Sequence, residues 1–226
     1  MSTAKKIDGA GPFIPEGATL AQLRDAAQEC RGCELYRDAT QAVLGEGPTT
    51  ARIVMVGEQP GDREDLAGHP FVGPAGGLLN RALEDAGIDR ADVYVTNAVK
   101  HFKFEERGKR RIHKKPSDSE INACKPWLWA ELALIRPQLI VCLGATAARA
   151  VIGKEHRVLK ERGRFFDHEM AGCVTATVHP SAILRAPDSE QRRADYAAFV
   201  KDLRAVRAKL DTFSSSSRTS FGRSSA

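Results

Sequence analysis

The chain has 226 residues, 42% hydrophobic and 28% charged, the make-up of a globular protein long enough for one sizeable core and marginal for two. No run approaches the roughly 18–20 apolar residues of a membrane span, and residues 1–17 lack the apolar core of a secretory signal, so a cytoplasmic protein is expected. The net charge is +5, and Lys100 to Lys115 alone holds eight Lys/Arg against two Glu, which leaves −1 for the rest.

Residues 1–17 are Gly/Pro-rich and expected to be loosely ordered. Leu20 to Glu29 has helical spacing and runs into Cys30-Arg31-Gly32-Cys33. Arg52 to Val56 is a short apolar run closed by Gly57-Glu58-Gln59-Pro60-Gly61, which predicts a buried strand and a tight loop. A long loop of small residues, Asp65 to Gly76, follows, then an amphipathic helix over Leu78–Ala86 closed by Gly87. Val93 to Val99 predicts a second strand that leads into the basic segment.

Ser117-x-x-Glu120 fits a capping box for a helix that carries Cys124, Trp127 and Trp129 towards Ile135. Leu139 to Leu143 predicts a third strand, with a small-residue helix after Gly144. Val174 to Val178 predicts a fourth, ending at His179-Pro180-Ser181, and a last helix runs from about Glu190 to Leu210. The tail over 212–226 is Ser-rich and of low complexity, which predicts disorder. Alternating strands and helices predict one α/β domain over 18–211, with a central four-stranded parallel sheet and helices on both faces.

In such sheets functional loops lie beyond the carboxyl ends of the strands. Gly57–Gly61, Asn97 and His179–Ser181 all fall there, and three polar motifs on one rim weigh more than any of them alone. Gly57–Gly61 lacks a Walker lysine and a dinucleotide spacing, and as an isolated pentapeptide it reads equally as a turn. Phe71 on its loop could stack on a nucleobase or anchor the core. Lys109-Arg110-Arg111-Ile112-His113 could grip phosphates, or could be a solvated charged loop. On charge alone His113 reads as one more DNA contact.

The five cysteines are odd in number and come without an export signal, which argues against a disulfide framework. Cys142 follows an apolar strand run and is expected in the core, as is Cys173. Cys30, Cys33 and Cys124 supply three thiolates, whereas a zinc site or an iron–sulfur cluster wants four ligands. His101 is the best-placed fourth, just past a strand end; otherwise it is a solvated or DNA-facing histidine.

Together these motifs resemble the uracil-DNA glycosylase superfamily, and within it the iron–sulfur family 4 enzymes, over roughly residues 20–210. The resemblance rests on Gly57–Gly61, on Pro70-Phe71-Val72-Gly73-Pro74-Ala75-Gly76, on Thr96-Asn97, on Leu143-Gly144-Ala145-Thr146-Ala147 and on His179-Pro180-Ser181. Two departures, His101 where family 4 has a cysteine and the inserted stretch ending Lys109-Arg110-Arg111-Ile112-His113, resemble the UdgX subgroup, as does Gln59.

The resemblance implies a 4Fe–4S cluster on Cys30, Cys33, His101 and Cys124, with zinc as the alternative. It implies catalytic roles for Glu58, Gln59, His113 and His179, with His113 becoming joined to DNA after uracil is cut out. Gly57, Phe71, Asn97, Ser181 and Arg185 would meet the substrate, and Lys109, Arg110 and Arg111 the DNA. The expected partner is uracil-containing DNA, single-stranded for preference, bound by a monomer in the nucleoid. A turnover family 4 glycosylase and a non-catalytic Cys/His DNA-binding module are the competing readings.

Overall fold

The computed structural model describes residues 9–219. The strands, in chain order, are β1 (Ile53–Gly57), β2 (Val93–Asn97), β3 (Phe104–Arg107), β4 (Arg110–His113), β5 (Leu139–Leu143), β6 (Phe165–His168) and β7 (Ala171–Thr177). β1, β2 and β5 are buried at every position, as expected of apolar runs covered on both faces. The main sheet has the order β2-β1-β5-β7-β6, and the first four strands run parallel. A fifth strand corrects the four-stranded expectation: β6 pairs antiparallel with β7 at the edge. Its Phe-Phe-Asp-His run is too short and too polar to signal a strand until β7 offers it an open edge.

The helices are α1 (Leu20–Gln28), α2 (Asp62–Ala67), α3 (Pro74–Asp85), α4 (Asp118–Ile135), α5 (Ala145–Val151), α6 (Val158–Glu161), α7 (Pro180–Leu184) and α8 (Ser189–Thr219). Strand side chains alternate between two cores. Val54, Val56, Tyr94, Ile140 and Cys142 pack on one face with Leu23 of α1, Trp127 of α4 and Ala147 of α5. Ile53, Met55, Val93, Val141 and Cys173 pack on the other with Leu79 of α3, Ile183 of α7 and Phe199 of α8. Among the described residues no helix is long and apolar enough to cross a membrane.

The capping box at Ser117 and Glu120 is formed, and Gly87 at φ 70° closes α3 as its position predicts. α3 begins at Pro74, four residues before the expected start, because Gly73 and Pro74 make an N-cap and first turn that small residues conceal. Residues 9–17 are tied down rather than loose where they are described: Ala10 is buried and its N–H donates to the Ala123 carbonyl at 2.7 Å. α8 runs on to Thr219, into the segment expected to be disordered. Residues 1–8 and 220–226, the outer parts of both expected loose ends, lie outside the described residues.

One buried ion pair ties the end of β2 to α4. Lys100 and Glu131 are both 0% exposed, with Nζ 2.6 Å from Oε2. Lys100 also donates to Thr96 Oγ1 and to the Asn97 carbonyl, each at 2.7 Å. Glu131 accepts further from the Gly45 N–H at 2.7 Å, the Tyr94 hydroxyl at 2.9 Å and Thr96 Oγ1. Glu131 and burial hold the Tyr94 phenol far above its ordinary range, burial being the larger cause. A pair this completely bonded is tolerated in the interior, but either partner left alone is not. Lys100→Met is expected to lower unfolding free energy by roughly 3–5 kcal/mol in urea titrations. Lys100→Met with Glu131→Leu should recover a large part of that loss, because no charge is then stranded.

Candidate active site

Four parallel strands deliver polar groups to one rim of the sheet, which is where such sheets place their sites. Glu58 follows β1, Asn97 ends β2, Thr146 lies in the first turn of α5 after β5, and His179 follows β7 at the N-cap of α7. They line one open cleft of about 960 Å³ together with Gln59, Phe71, His113, Ser181 and Arg185. The three motifs expected to converge therefore do so.

Close packing shapes the floor. A β-carbon on Gly57 would overlap Asn97 Oδ1 and lie 2.8 Å from Phe71 Cζ, so only glycine lets the strand end approach these two side chains. Phe71 has φ 57°, a left-handed conformation that is strained for an aromatic residue. The turn is held by Gly76, where a β-carbon would overlap the Phe71 carbonyl. Its ring faces that of His179, with centroids 6.3 Å apart and planes inclined by 26°.

Glu58 stands between two histidines. Its Oε2 accepts from the Thr146 hydroxyl, and its Oε1 lies 3.2 Å from His113 Nε2. Burial opposes ionisation of Glu58, but the hydrogen bonds from His113 and Thr146 prevail and hold the carboxyl below its ordinary range. Glu58 is thus a carboxylate at neutral pH. His179 is the reverse case. Burial pushes its pKa down to about 4, against the pull of Glu58, so the ring is neutral. Its Nδ1 accepts from the Ser181 N–H at 3.1 Å, which places the single ring proton on Nε2.

The basic segment is a β-hairpin rather than a loop. β3 and β4 pair antiparallel around Gly108-Lys109, with Gly108 at φ 61°, as a two-residue turn requires. Gly108 between two charged runs was the available signal, obscured by the absence of apolar alternation. Strand alternation puts Arg111 and His113 on one face. Arg111 pairs with Asp62 and Asp65, each at 2.6 Å, and its guanidinium lies over Phe102 and Phe104.

Gln59 closes the hairpin base. Its amide donates to the Lys103 carbonyl at 3.0 Å and the Lys114 carbonyl at 3.2 Å, so it grips the chain on both sides of the insertion. His113 is thereby carried to Glu58 on a supported strand. Most of the segment's charge is engaged within the protein: Lys100 with Glu131, Lys103 with Glu120, Arg107 and Lys114 with Glu105, and Arg111 as above. Lys109, Arg110 and Lys115 remain without an ion-pair partner among the described residues, and Lys115 lines the cleft. Expected among the DNA-binding residues, Arg111 instead has its charge bound inward by two aspartates.

Thr146, Asp62, Asp65, Lys100 and Glu131 had no role assigned from sequence. Thr146 sits in a quoted motif, but nothing in sequence tells which strand-end carboxylate it meets. Asp65 is fully buried and also accepts from the Thr40 N–H.

Cys30, Cys33, Cys124 and His101 are all buried. The Trp127 indole N–H donates to Cys30 Sγ at 3.3 Å and the Lys100 N–H to Cys124 Sγ at 3.2 Å. Burial, the largest cause, raises the Cys33 thiol and carries Cys124 up to about 12, and the nearby Cys30 adds to both. Burial also pushes His101 down to about 4, which keeps its ring neutral. Among the described residues no three Cys, His, Asp or Glu side chains lie close enough to hold a single ion. Cys142 and Cys173 lie in the two cores, as expected.

Residues 44–204 match the family model described as the uracil DNA glycosylase superfamily. The chain is 40% identical to the type-4 uracil-DNA glycosylase of Thermotoga maritima over 172 residues, 76% of this chain and 86% of that one. It is 36% identical to the type-4 enzyme of Archaeoglobus fulgidus over 194 residues, covering 81% and 92%. It is 35% identical to that of Pyrobaculum aerophilum over 175 residues, covering 74% and 86%. With a strand-end site of this composition, the chain belongs to the uracil-DNA glycosylase superfamily. It is a DNA N-glycosylase whose substrate is uracil in DNA.

His179 presents a neutral Nε2–H donor at the cleft. Its low pKa means that it charges only near pH 4, well below the ordinary 6.5. Single-turnover uracil release is therefore expected to hold a plateau as pH falls through 6.5 and to decline only on approach to pH 4. A decline centred near 6.5 that is absent in His179→Asn would contradict the neutral assignment.

Proposed function

We propose that this glycosylase retains its product: after uracil is excised, His113 bonds to C1′ of the deoxyribose and the protein stays attached to the DNA. The observation that carries the reading is the His113 imidazole held 3.2 Å from the Glu58 carboxylate at the cleft. A turnover enzyme has no need to brace a histidine there on a hairpin clamped by Gln59 and Arg111.

The steps follow from the side chains. The target nucleotide leaves the base stack, or is taken from a single strand, where unstacking is cheaper. Phe71 stacks on the uracil face. The Asn97 amide, both donor and acceptor, pairs with the O4/N3 edge of uracil, whereas cytosine presents the inverse pattern and would leave a buried group unpaired. As the bond from N1 to C1′ breaks, its electron pair passes to uracil, and the His179 Nε2–H stabilises the charge at O2. The Glu58 carboxylate offsets the developing positive charge on the sugar.

The imidazole of His113 then gives a ring-nitrogen lone pair to C1′ where water would otherwise attack. The alkylated ring becomes cationic, and Glu58 accepts the proton it sheds. The adduct is then a neutral N-alkyl imidazole, which could release the sugar only by expelling an imidazolide anion, a poor leaving group, so the link persists and the enzyme acts once. Lys109, Arg110, Ser181 and Arg185 are the proposed phosphate contacts.

On single-stranded DNA with one uracil, a denaturing gel is expected to show a heat- and detergent-resistant adduct that is lost in His113→Ala. Many turnovers of free uracil without adduct would leave an ordinary glycosylase and overturn covalent capture.

Cys30, Cys33, Cys124 and His101 are proposed to hold a 4Fe–4S cluster. The support is three buried thiols, of which Cys30 and Cys124 receive N–H donors that would stabilise bound thiolates, and a buried neutral His101 ring. Tetrahedral zinc on the same four side chains is the alternative. The cluster would supply a structural cross-brace. The residues it joins are the segment after α1, the chain beyond β2 and α4, so it supports the approach to the hairpin. Iron and sulfide analysis of the purified protein is expected to show both in the intact chain and their loss in Cys124→Ala, while His101→Cys retains them. Stoichiometric zinc without iron would refute the cluster.

A further inference from the structure

Glu58 is held from three directions at the rim of the sheet. β1 lies between β2 and β5, so the chain beyond it has a neighbour on each side. On the β2 side the Glu58 carbonyl accepts from the Val99 N–H at 3.0 Å, which fixes the backbone. On the β5 side the Thr146 hydroxyl donates to Oε2. The hairpin brings His113, whose Nε2 lies 3.2 Å from Oε1. Among the described residues these two are the side-chain partners of the carboxylate.

The two holds differ in rigidity. Thr146 is 2% exposed, whereas the His113 side chain is 50% exposed. The turn that carries Thr146 is closely packed. The Gly144 N–H donates to the Thr177 carbonyl at 2.8 Å, and a β-carbon on Gly144, at φ 91°, would lie 3.0 Å from His179 Cβ. A helical threonine often turns its hydroxyl back onto its own helix. Thr146 instead directs it across to the neighbouring strand end. Packing alone would be met by valine, which has the same shape, so the hydroxyl serves this bond.

We propose that Thr146 is a positioning residue that gives the two Glu58 oxygens separate tasks: it pins Oε2 in the wall of the cleft and leaves Oε1 as the working oxygen, turned to His113 and the sugar. A carboxylate without the pin can rotate and exchange its oxygens, whereas one fixed oxygen sets the plane. The pin comes from the β5 side, so it holds whether or not His113 stays on Oε1. The inference rests on the reading that the Glu58 charge assists cleavage of the bond to uracil, and it is independent of covalent capture by His113. Burial opposes the ionised form of Glu58, so losing the hydroxyl also raises the pH at which the carboxylate is lost. His113 from β4 and His179 from the start of α7 are the titratable groups that act on it, and Asp62, Arg63, Glu64, Lys115 and Arg185 line the same cleft.

Single-turnover release of free uracil, followed from acid to neutral pH, tests the assignment. Thr146→Val is expected to slow release by about tenfold at neutral pH, as for one lost hydrogen bond to a charged group, and to move the acid decline to higher pH. Thr146→Ala, which adds no apolar group beside the carboxylate, should show the same shift. Thr146→Ser keeps the hydroxyl and should restore both rate and profile. The shift should persist in His113→Ala, where Thr146 is the remaining side-chain partner of Glu58. Glu58→Gln separates the inference from the reading beneath it. If Glu58→Gln slows release and Thr146→Val does not, Thr146 does not position the carboxylate. If Glu58→Gln releases uracil at the unaltered rate, the role of Glu58 fails and the inference with it. Equal slowing at every pH, or Thr146→Ser as slow as Thr146→Val, would leave a packing role alone and overturn the assignment.

Discussion

The architecture turns on the buried pair of Lys100 and Glu131. Two charges in the interior are stable only while every donor and acceptor is matched, and these are matched by Thr96, Tyr94, Gly45 and the Asn97 carbonyl. That requirement permits one geometry and fixes what surrounds it. On one side lies Asn97, which ends β2 and lines the cleft. On the other lie His101, next in the chain, and Cys124, whose sulfur receives the Lys100 N–H. The rim of the cleft and the buried thiol group thus share one support, and α4 carries both Glu131 and Cys124. Disturbing the pair should be felt at both.

At one end of the cleft a single carboxylate stands between two imidazoles. Glu58 stays ionised because His113 and Thr146 bond to it. His179, more deeply covered, stays neutral despite that charge, and the Ser181 N–H sets which nitrogen keeps the proton. Burial and backbone bonding, rather than a special residue type, set the state of the His179 ring. The hairpin does the rest. Gln59 grips its base and Arg111 anchors its face, so His113 meets Glu58 without the entropy of a free loop.

The sequence by itself determined the parallel core and the site's inventory. Four apolar runs with polar punctuation specify strands and their functional ends, because a strand covered on both faces must be apolar throughout and must stop where chemistry begins. Glu58, Asn97 and His179 were legible for that reason, as was the capping of α4. Tertiary structure decided what depends on partners distant in the chain. The charge of residues 100–115 leaves a phosphate grip and a solvated loop both open, yet Lys100 is buried opposite Glu131 and Arg111 is bound by Asp62 and Asp65. β6 needed an open edge beside β7, and the hairpin needed Gln59. Local pattern encodes which face of an element is apolar; pairing, charge state and exposure are set by residues that the chain brings together only on folding.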